Sequence, residues 1–175
     1  MTIRVATLDD AAGIAAVYAP YVTNGVISFE AEPPDAAEMA RRMSARPALP
    51  WLVKERDGAV TGYAYASVHK DRAAYRWAVD CSVYLASTEQ GRGTGRALYD
   101  RLLAQLRDLG YLRAYAGIAL PNAASVGLHE AVGFEPVGVY RAVGFKHGAW
   151  HDVGWWQLSL ADPDGEPPEP RPWST

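Results

Sequence analysis

The stretch from Trp77 to Leu109 decides the fold of this 175-residue chain; it reads WAVDCSVYLASTEQGRGTGRALYDRLLAQLRDL. Its first nine residues alternate between two sets of side chains, with Asp80 on the more polar side, and this pattern predicts a β-strand. Its last part repeats leucine at helical spacing ahead of a glycine that can end the helix, at Leu98, Leu102, Leu106, Leu109 and Gly110. The stretch therefore predicts a strand, a glycine-rich loop and an amphipathic helix in succession.

The loop between that strand and helix is Gln90 to Arg96, with glycine at positions 91, 93 and 95. Glycines let consecutive backbone N–H groups converge, and a helix N-terminus adds positive potential, so such a loop suits a pyrophosphate. No Gly-Lys-Ser/Thr follows, and the spacing differs from the dinucleotide fingerprint. The alternative is a flexible connection without a ligand.

The chain before this stretch predicts short strands and two helices. Ile3 to Ala6 is a first strand, followed by a capping box between Thr7 and Asp10 and an amphipathic helix that Pro20 should kink or end. A second helix is predicted from about 36 to 44, and a hairpin is predicted from strands 51–55 and 60–67 around Asp57-Gly58.

The chain after it alternates strands with one more helix. Strands are predicted at 112–120, 135–143 and 153–160, and a helix at 122–132. The pattern is mixed, antiparallel first and then strand–helix–strand–helix–strand, which predicts an α+β domain over residues 1–161. The tail, residues 162–175, carries five prolines and is expected to be disordered or draped on the surface.

Composition restricts the function classes. The chain is 49% hydrophobic and 21% charged, with a formal net charge of −3, which argues against nucleic acid as a partner. A single cysteine, Cys81, excludes an intramolecular disulfide. No secretory pattern or membrane-length apolar run is present, so we expect a cytoplasmic protein with no membrane partner.

Several blocks of the sequence resemble the phosphinothricin N-acetyltransferase family of the GNAT superfamily. Gln-x-x-Gly-x-Gly between a strand and a helix resembles the acyl-CoA loop of that superfamily, and the blocks 120–122, 128–134 and 144–154 are similar to the family's second half. The resemblance covers roughly residues 2 to 160. It implies the GNAT fold, a mostly antiparallel sheet with a splayed strand pair and helices on both faces.

This resemblance also implies the cosubstrate, acetyl-CoA, bound between the two splayed strands. The backbone of Val83, Tyr84 and Leu85 would pair with the pantetheine, and Asn122 would hold it from the other side. The pyrophosphate would lie in the loop formed by Gly91, Arg92, Gly93, Thr94, Gly95 and Arg96. No metal is implied, because His147 and His151 lack a helical context for a zinc pair.

Two residues are candidates for proton transfer. The attacking amine must lose a proton, and Asp80 lies in an otherwise apolar strand where the family has Glu. The side chain of Asp80 is one methylene shorter, so we expect it to act through a bridging water. His129 also matches the family; it either protonates the departing thiolate or is a structural hydrogen-bonding residue.

The acceptor is expected to be a small anionic amino acid analogue such as phosphinothricin, methionine sulfone or methionine sulfoximine. Lys70, Arg72 and Tyr75 match the family's Lys-x-Arg-x-x-Tyr segment and suit a carboxylate or phosphinate, and Phe29 would wall the pocket. The resemblance also favours a homodimer. The alternatives are an acetyltransferase for another amine, and a protein that binds acyl-CoA without catalysis.

Overall fold

The computed structural model describes residues 2–162 and 165–173, and within them the chain forms seven strands and four α-helices. The strands are β1 (Thr2–Val5), β2 (Trp51–Arg56), β3 (Ala59–Val68), β4 (Ala78–Leu85), β5 (Arg113–Leu120), β6 (Glu135–Lys146) and β7 (Ala149–Ser159). The helices are α1 (Ala11–Thr23), α2 (Ala36–Met43), α3 (Thr94–Leu109) and α4 (Ala123–Ala131).

All seven strands form one sheet in the order β1-β2-β3-β4-β5-β7-β6. Neighbouring strands are antiparallel, except that β4 and β5 are parallel. One core lies between the sheet and α3, with α4 packed beside it, and a second core lies between the opposite face of the sheet, α1 and α2. The predicted sheet with helices on both faces is confirmed.

Local sequence explains the first elements. The Asp10 carboxylate accepts hydrogen bonds from the Thr7 backbone N–H at 2.8 Å and from Arg4, and it begins the turn before α1. Pro20 does not end α1, which continues to Thr23. The hairpin turn between β2 and β3 has positive φ at Asp57 and Gly58 (53° and 78°), as a two-residue turn of the expected hand requires.

The last two strands are longer than the sequence predicted. We expected strand ends at 143 and 153, but β6 reaches Lys146 and β7 begins at Ala149. His147 and Gly148 form the connection with φ of 50° and 75°, so only two residues turn the chain. The glycines at 144 and 154 interrupt the apolar pattern, although the chain remains in the sheet there.

The described part of the tail follows the surface. The Pro168 carbonyl accepts a hydrogen bond from the Trp77 indole at 2.8 Å, and the Arg171 backbone N–H donates to the Leu109 carbonyl at 2.7 Å. Of the two alternatives for the tail, residues 165–173 therefore follow the draped one; positions 163, 164, 174 and 175 lie outside the described residues. Among the described helices, none has the length and apolar character needed to cross a bilayer.

Candidate active site

A gap opens in the sheet between its two parallel strands. β4 and β5 pair at three positions only, ending at Asp80 opposite Tyr115, and the strands diverge beyond that point. The gap is lined by residues of both strands, of α3, α4 and of the segment before α2: Ile27, Cys81, Ser82, Val83, Tyr84, Tyr99, Gly117, Ile118, Ala119, Asn122, Ser125 and His129. The predicted splayed strand pair is therefore present.

Backbone direction along β4 separates the three residues predicted to contact pantetheine. The Trp77 carbonyl accepts hydrogen bonds from the backbone at 112 and 113 on the β5 side, and the Ala86 N–H donates to the Thr61 carbonyl of β3. Successive residues of a strand turn their N–H and C=O groups to opposite sides, so the backbone groups of Val83 and Leu85 face the gap. The backbone of Tyr84 faces β3 instead. The Leu85 carbonyl already accepts a hydrogen bond from the Tyr21 hydroxyl at 2.6 Å. Val83 thus offers the freest backbone groups to a ligand.

The glycine-rich loop lies directly after β4 and leads into α3. Gly91 and Gly93 have φ of 70° and 78°, a region that favours glycine, and open space surrounds their Cα atoms. Gly95 lies in the first turn of α3, where a Cβ would stand 2.9 Å from Leu128. Arg92 and Arg96 are exposed beside this turn. The unpaired N–H groups of the turn suit a phosphate, so the residues present fit acetyl-CoA.

A buried carboxylate that the sequence analysis missed supports this loop. Glu89 is only 2% exposed and accepts a hydrogen bond from the Thr94 hydroxyl at 2.7 Å. This bond lowers the pKa of Glu89, and Arg56 pairs with the same carboxylate at 3.2 Å. An acidic residue five positions before the first helical residue has no periodic signature, which is why pattern alone did not reveal it.

Across the gap, α4 supplies Asn122 and His129. The Asn122 side chain caps α4 by accepting from the Ser125 N–H at 3.1 Å. His129 is 4% exposed, with Nδ1 at 2.7 Å from the Ser125 carbonyl and Nε2 at 2.8 Å from the Tyr99 hydroxyl. A carbonyl only accepts, so Nδ1 carries the hydrogen and Nε2 of the neutral ring accepts from Tyr99. Burial lowers the pKa of His129 and favours this neutral form.

Asp80 lies on the opposite face of the sheet and has a partner that the sequence analysis did not single out. Its Oδ1 is 2.7 Å from Nδ1 of His69, the residue that follows β3. Burial raises the pKa of Asp80, whereas the hydrogen bond to His69 and the charge of Lys70 act in the opposite direction. The His69 ring stacks on Tyr115 with centroids 4.3 Å apart.

The predicted acceptor residues lie on this same face or at its edge. Tyr75 meets the His69 ring edge-on, with centroids 6.1 Å apart, while Lys70 and Arg72 are exposed in the loop between β3 and β4. Asp80, Lys70 and Tyr75 are thus brought together around His69. Arg72 is near them in the chain, but its side chain extends into solvent.

Phe29 is held over the β6–β7 hairpin. Its ring lies on the backbone of Gly144 and 6.2 Å from the His151 ring, centroid to centroid. The Lys146 ammonium fixes the segment that carries Phe29, because it donates to three backbone carbonyls, those of Val22 (2.5 Å), Ser28 (2.7 Å) and Glu30 (3.0 Å). This anchoring was not visible in the sequence.

Trp155 adds an unused donor next to His69. The two rings are 6.1 Å apart, and within the described residues the buried indole N–H of Trp155 has no acceptor. Buried donors are nearly always satisfied, so a ligand oxygen or a water belongs there.

Cys81 points to the other face; it is buried, and burial raises the pKa of its thiol well out of the range of a nucleophile. No cluster able to hold a metal occurs among residues 2–162 and 165–173.

The fold, in which the sheet splits between two parallel strands and a glycine loop follows the first of them, is that of an acetyl-CoA-dependent N-acetyltransferase. Residues 3–155 match the acetyltransferase (GNAT) domain family, and the chain belongs to that family.

Known proteins are similar to the chain over nearly its whole length. A phosphinothricin N-acetyltransferase of Streptomyces viridochromogenes is 41% identical over 96% of this chain and 91% of its own. An L-methionine sulfoximine/L-methionine sulfone acetyltransferase of Salmonella typhimurium is 37% identical over 91% of this chain and 95% of its own. A crystal structure of a phosphinothricin acetyltransferase from Sinorhizobium meliloti, solved in complex with acetyl-CoA, superposes with a TM-score of 0.90 at 40% identity, covering 96% of this chain and 93% of that one.

Proposed function

We propose that this enzyme transfers the acetyl group of acetyl-CoA to the α-amino group of a small anionic amino acid analogue. The acceptor class is that of phosphinothricin, methionine sulfone and methionine sulfoximine, which relatives at 41% and 37% identity are named for. The amine attacks the thioester directly, and the negative charge of Asp80 makes the deprotonation of the amine favourable.

One observation carries this proposal: Asp80 stands at the last paired position of β4 and β5, where the gap begins, with Lys70 close enough to affect its ionisation. A thioester in the gap and an amino acid held by the loop between β3 and β4 would meet at this point. Lys70 and Arg72 favour an acceptor with an acidic group, and they disfavour polyamines and other cationic amines.

His129 is a structural residue in this proposal. The Nδ1 hydrogen of His129 is donated to the Ser125 carbonyl and Nε2 accepts from Tyr99, so the neutral ring has no free N–H that faces a thiolate. To act as an acid it would need the imidazolium form, which burial disfavours. Its role is to hold the Tyr99 hydroxyl and the first turn of α4 at the edge of the gap.

The experiment is a coenzyme A release assay with a thiol reagent at fixed acetyl-CoA. Phosphinothricin, methionine sulfone and methionine sulfoximine are compared with spermidine and with a peptide amine. We expect kcat/KM for at least one of the three anionic analogues to exceed that for spermidine by about 100-fold. A charge-assisted hydrogen bond is worth about 1.5–3 kcal/mol, and the interaction with Lys70 and Arg72 is attractive for an anionic acceptor and repulsive for a cationic one. Preferred turnover of spermidine would overturn the proposed acceptor class.

We further propose a homodimer formed through the β6–β7 hairpin. β6 is an edge strand, and the hairpin exposes an apolar set of side chains: Val137, Val139, Tyr140, Val143, Phe145 and Trp150. An apolar edge of this length is uncommon on a monomer, because it would pair with other chains. A second copy of the same hairpin is the occupant that a symmetric interface requires.

A further inference from the structure

We infer that His69, rather than Asp80, accepts the proton from the substrate amine, and that Asp80 acts through it as a positioning residue. The inference rests on the proposed function and assigns the base of that same site. It starts from the 2.7 Å contact between Asp80 Oδ1 and His69 Nδ1, which joins the loop after β3 to the apex of the gap.

The hydrogen bond fixes the tautomer of His69. A carboxylate only accepts, so Nδ1 carries the hydrogen and the lone pair of a neutral ring is on Nε2. Nε2 has no hydrogen-bond partner within the described residues, and it is not among their buried unsatisfied atoms. The ring nitrogen that faces away from Asp80 is therefore available as a base and still reachable from outside.

Aromatic side chains fix the orientation of this ring. Tyr115 stacks on one face, with centroids 4.3 Å apart and planes inclined by 16°, and the rings of Tyr75 and Trp155 stand nearly perpendicular to it at 6.1 Å. The His69 side chain keeps 14% of its surface exposed. Such confinement prevents the imidazole from turning its free nitrogen away from an acceptor, which is what a positioned base requires.

Asp80 itself is less suited to the direct role. One of its oxygens is already bound to His69, and its side chain is one methylene shorter than the glutamate that the family resemblance leads one to expect here. An imidazole is a base close to neutral pH, whereas a free carboxylate is a weak one. In this proposal the histidine that Asp80 holds takes over the role that a longer acid would have.

The proton balance of the step is complete. Nε2 of His69 takes one proton from the acceptor's ammonium group, and the freed lone pair forms the N–C bond to the acetyl carbon. When the C–S bond breaks, its electron pair goes to sulfur, and the second amine proton neutralises the thiolate. The proton on His69 then passes to solvent, so one acetyl group moves and one proton is released.

The test uses His69→Asn, because the asparagine amide can keep the hydrogen bond to Asp80 while the basic nitrogen is lost. With acetyl-CoA and methionine sulfone, kcat should fall by about 10²- to 10⁴-fold, with acetyl-CoA affinity by calorimetry unchanged. His147→Asn is the matched control, since His147 lies exposed in the β6–β7 turn with φ of 50°, which asparagine tolerates, and it should retain wild-type kcat.

A second variant separates a lost base from a disturbed fold. His69→Ala should show the same loss, and added imidazole should restore turnover in proportion to its concentration, which a structural role would not permit. Asp80→Asn should not respond to imidazole, and His69→Asn with Asp80→Asn should lose little more than the worse single variant, because the two act as a unit.

Two outcomes overturn the assignment in different ways. If the wild-type enzyme is active and His69→Asn keeps kcat within about threefold while Asp80→Asn loses it, Asp80 is the direct base and the proposed function stands. If the wild-type enzyme acetylates none of the three analogues, the proposed function fails and this assignment fails with it.

Discussion

The ring of Phe29 lies directly on the backbone of Gly144: a Cβ at position 144 would stand 2.2 Å from Cε2 of that ring. No side chain other than hydrogen fits between the two residues. The position of the aromatic wall predicted for the acceptor pocket is therefore set by a glycine 115 positions later in the chain, on β6.

Gly144→Ala should displace Phe29 and raise KM for the acceptor by about 10- to 100-fold, since a shift near 1 Å in a positioning group has effects of this size. Affinity for acetyl-CoA should be unchanged. Gly138→Ala is the control, because the same strand has open space at Gly138. Steady-state kinetics with methionine sulfone checks this, and equal KM values for both variants would remove Phe29 from the pocket.

Gly93→Val should weaken acetyl-CoA binding by about tenfold or more. A valine at φ of 78° is strained by about 1–2 kcal/mol, and the loop would relieve the strain by leaving the conformation that presents its N–H groups. Gly58→Val is matched, with the same φ and the same open surroundings in a distant turn. In calorimetric titration only Gly93→Val should lose affinity; unchanged binding would make the loop a mere connection.

Arg72→Ala should raise KM for phosphinothricin or methionine sulfone by about 10- to 100-fold, the size of a lost charge-assisted hydrogen bond, with KM for acetyl-CoA nearly constant. Arg41→Ala removes an exposed arginine on α2, which pairs with Glu38, and should leave both constants as they are. An equal rise in both KM values for Arg72→Ala would move this residue out of the acceptor site.

Acid should destabilise the fold through His129. Burial holds the pKa of His129 below its ordinary value of 6.5, so the stability present above pH 6.5 is lost progressively as the pH falls through the folded-state pKa. The free energy of unfolding measured with urea should therefore decrease more between about pH 7.5 and about pH 5 for the wild type than for His129→Asn. Parallel curves for the two proteins would mean that His129 is not buried in the neutral form.

Trp150→Glu should dissociate the proposed homodimer, because it replaces an apolar residue that is 64% exposed in the monomer by a charged one, which would be buried at the interface. Leu8→Glu, at a similarly exposed leucine before α1, is the control. Light scattering after size exclusion should give the wild type and Leu8→Glu twice the 19.0 kDa chain mass. A monomeric wild type would contradict the dimer.

Sequence patterns were sufficient for the fold wherever side chains repeat with a regular period. The alternation along β4 placed Cys81 and Asp80 on opposite faces, and of the predicted leucine stripe of α3, Leu98, Leu102 and Leu106 are buried while Leu109 is half-buried. The ends of β6 and β7 were missed because His147-Gly148 is a less frequent pair than Asn-Gly or Asp-Gly for a two-residue turn, although its φ values are those of such a turn.

The site was less accessible to sequence reasoning, because its decisive contacts join distant segments. His69 follows β3 without any periodic signal, and only the pairing of Ser67 with Asp80 brings it beside that carboxylate. Likewise, nothing near Lys146 in the sequence shows that its ammonium holds the Phe29 segment. The first contact follows from the register of β3 and β4 and the second from the packing of the segment between α1 and α2 on β6, and neither leaves a periodic pattern in the sequence.

The direction of β4 has a consequence for how two substrates share one enzyme. The strand begins at Ala78, three residues after Tyr75, and ends at Leu85, five residues before Gln90 at the start of the glycine loop, so its eight residues separate the proposed acceptor site from the proposed cosubstrate site. In the proposed arrangement each substrate therefore has its own entrance, and the two meet at Asp80. Neither has to leave before the other arrives, so initial rates measured while both concentrations vary should give intersecting double-reciprocal lines, the pattern of a ternary complex.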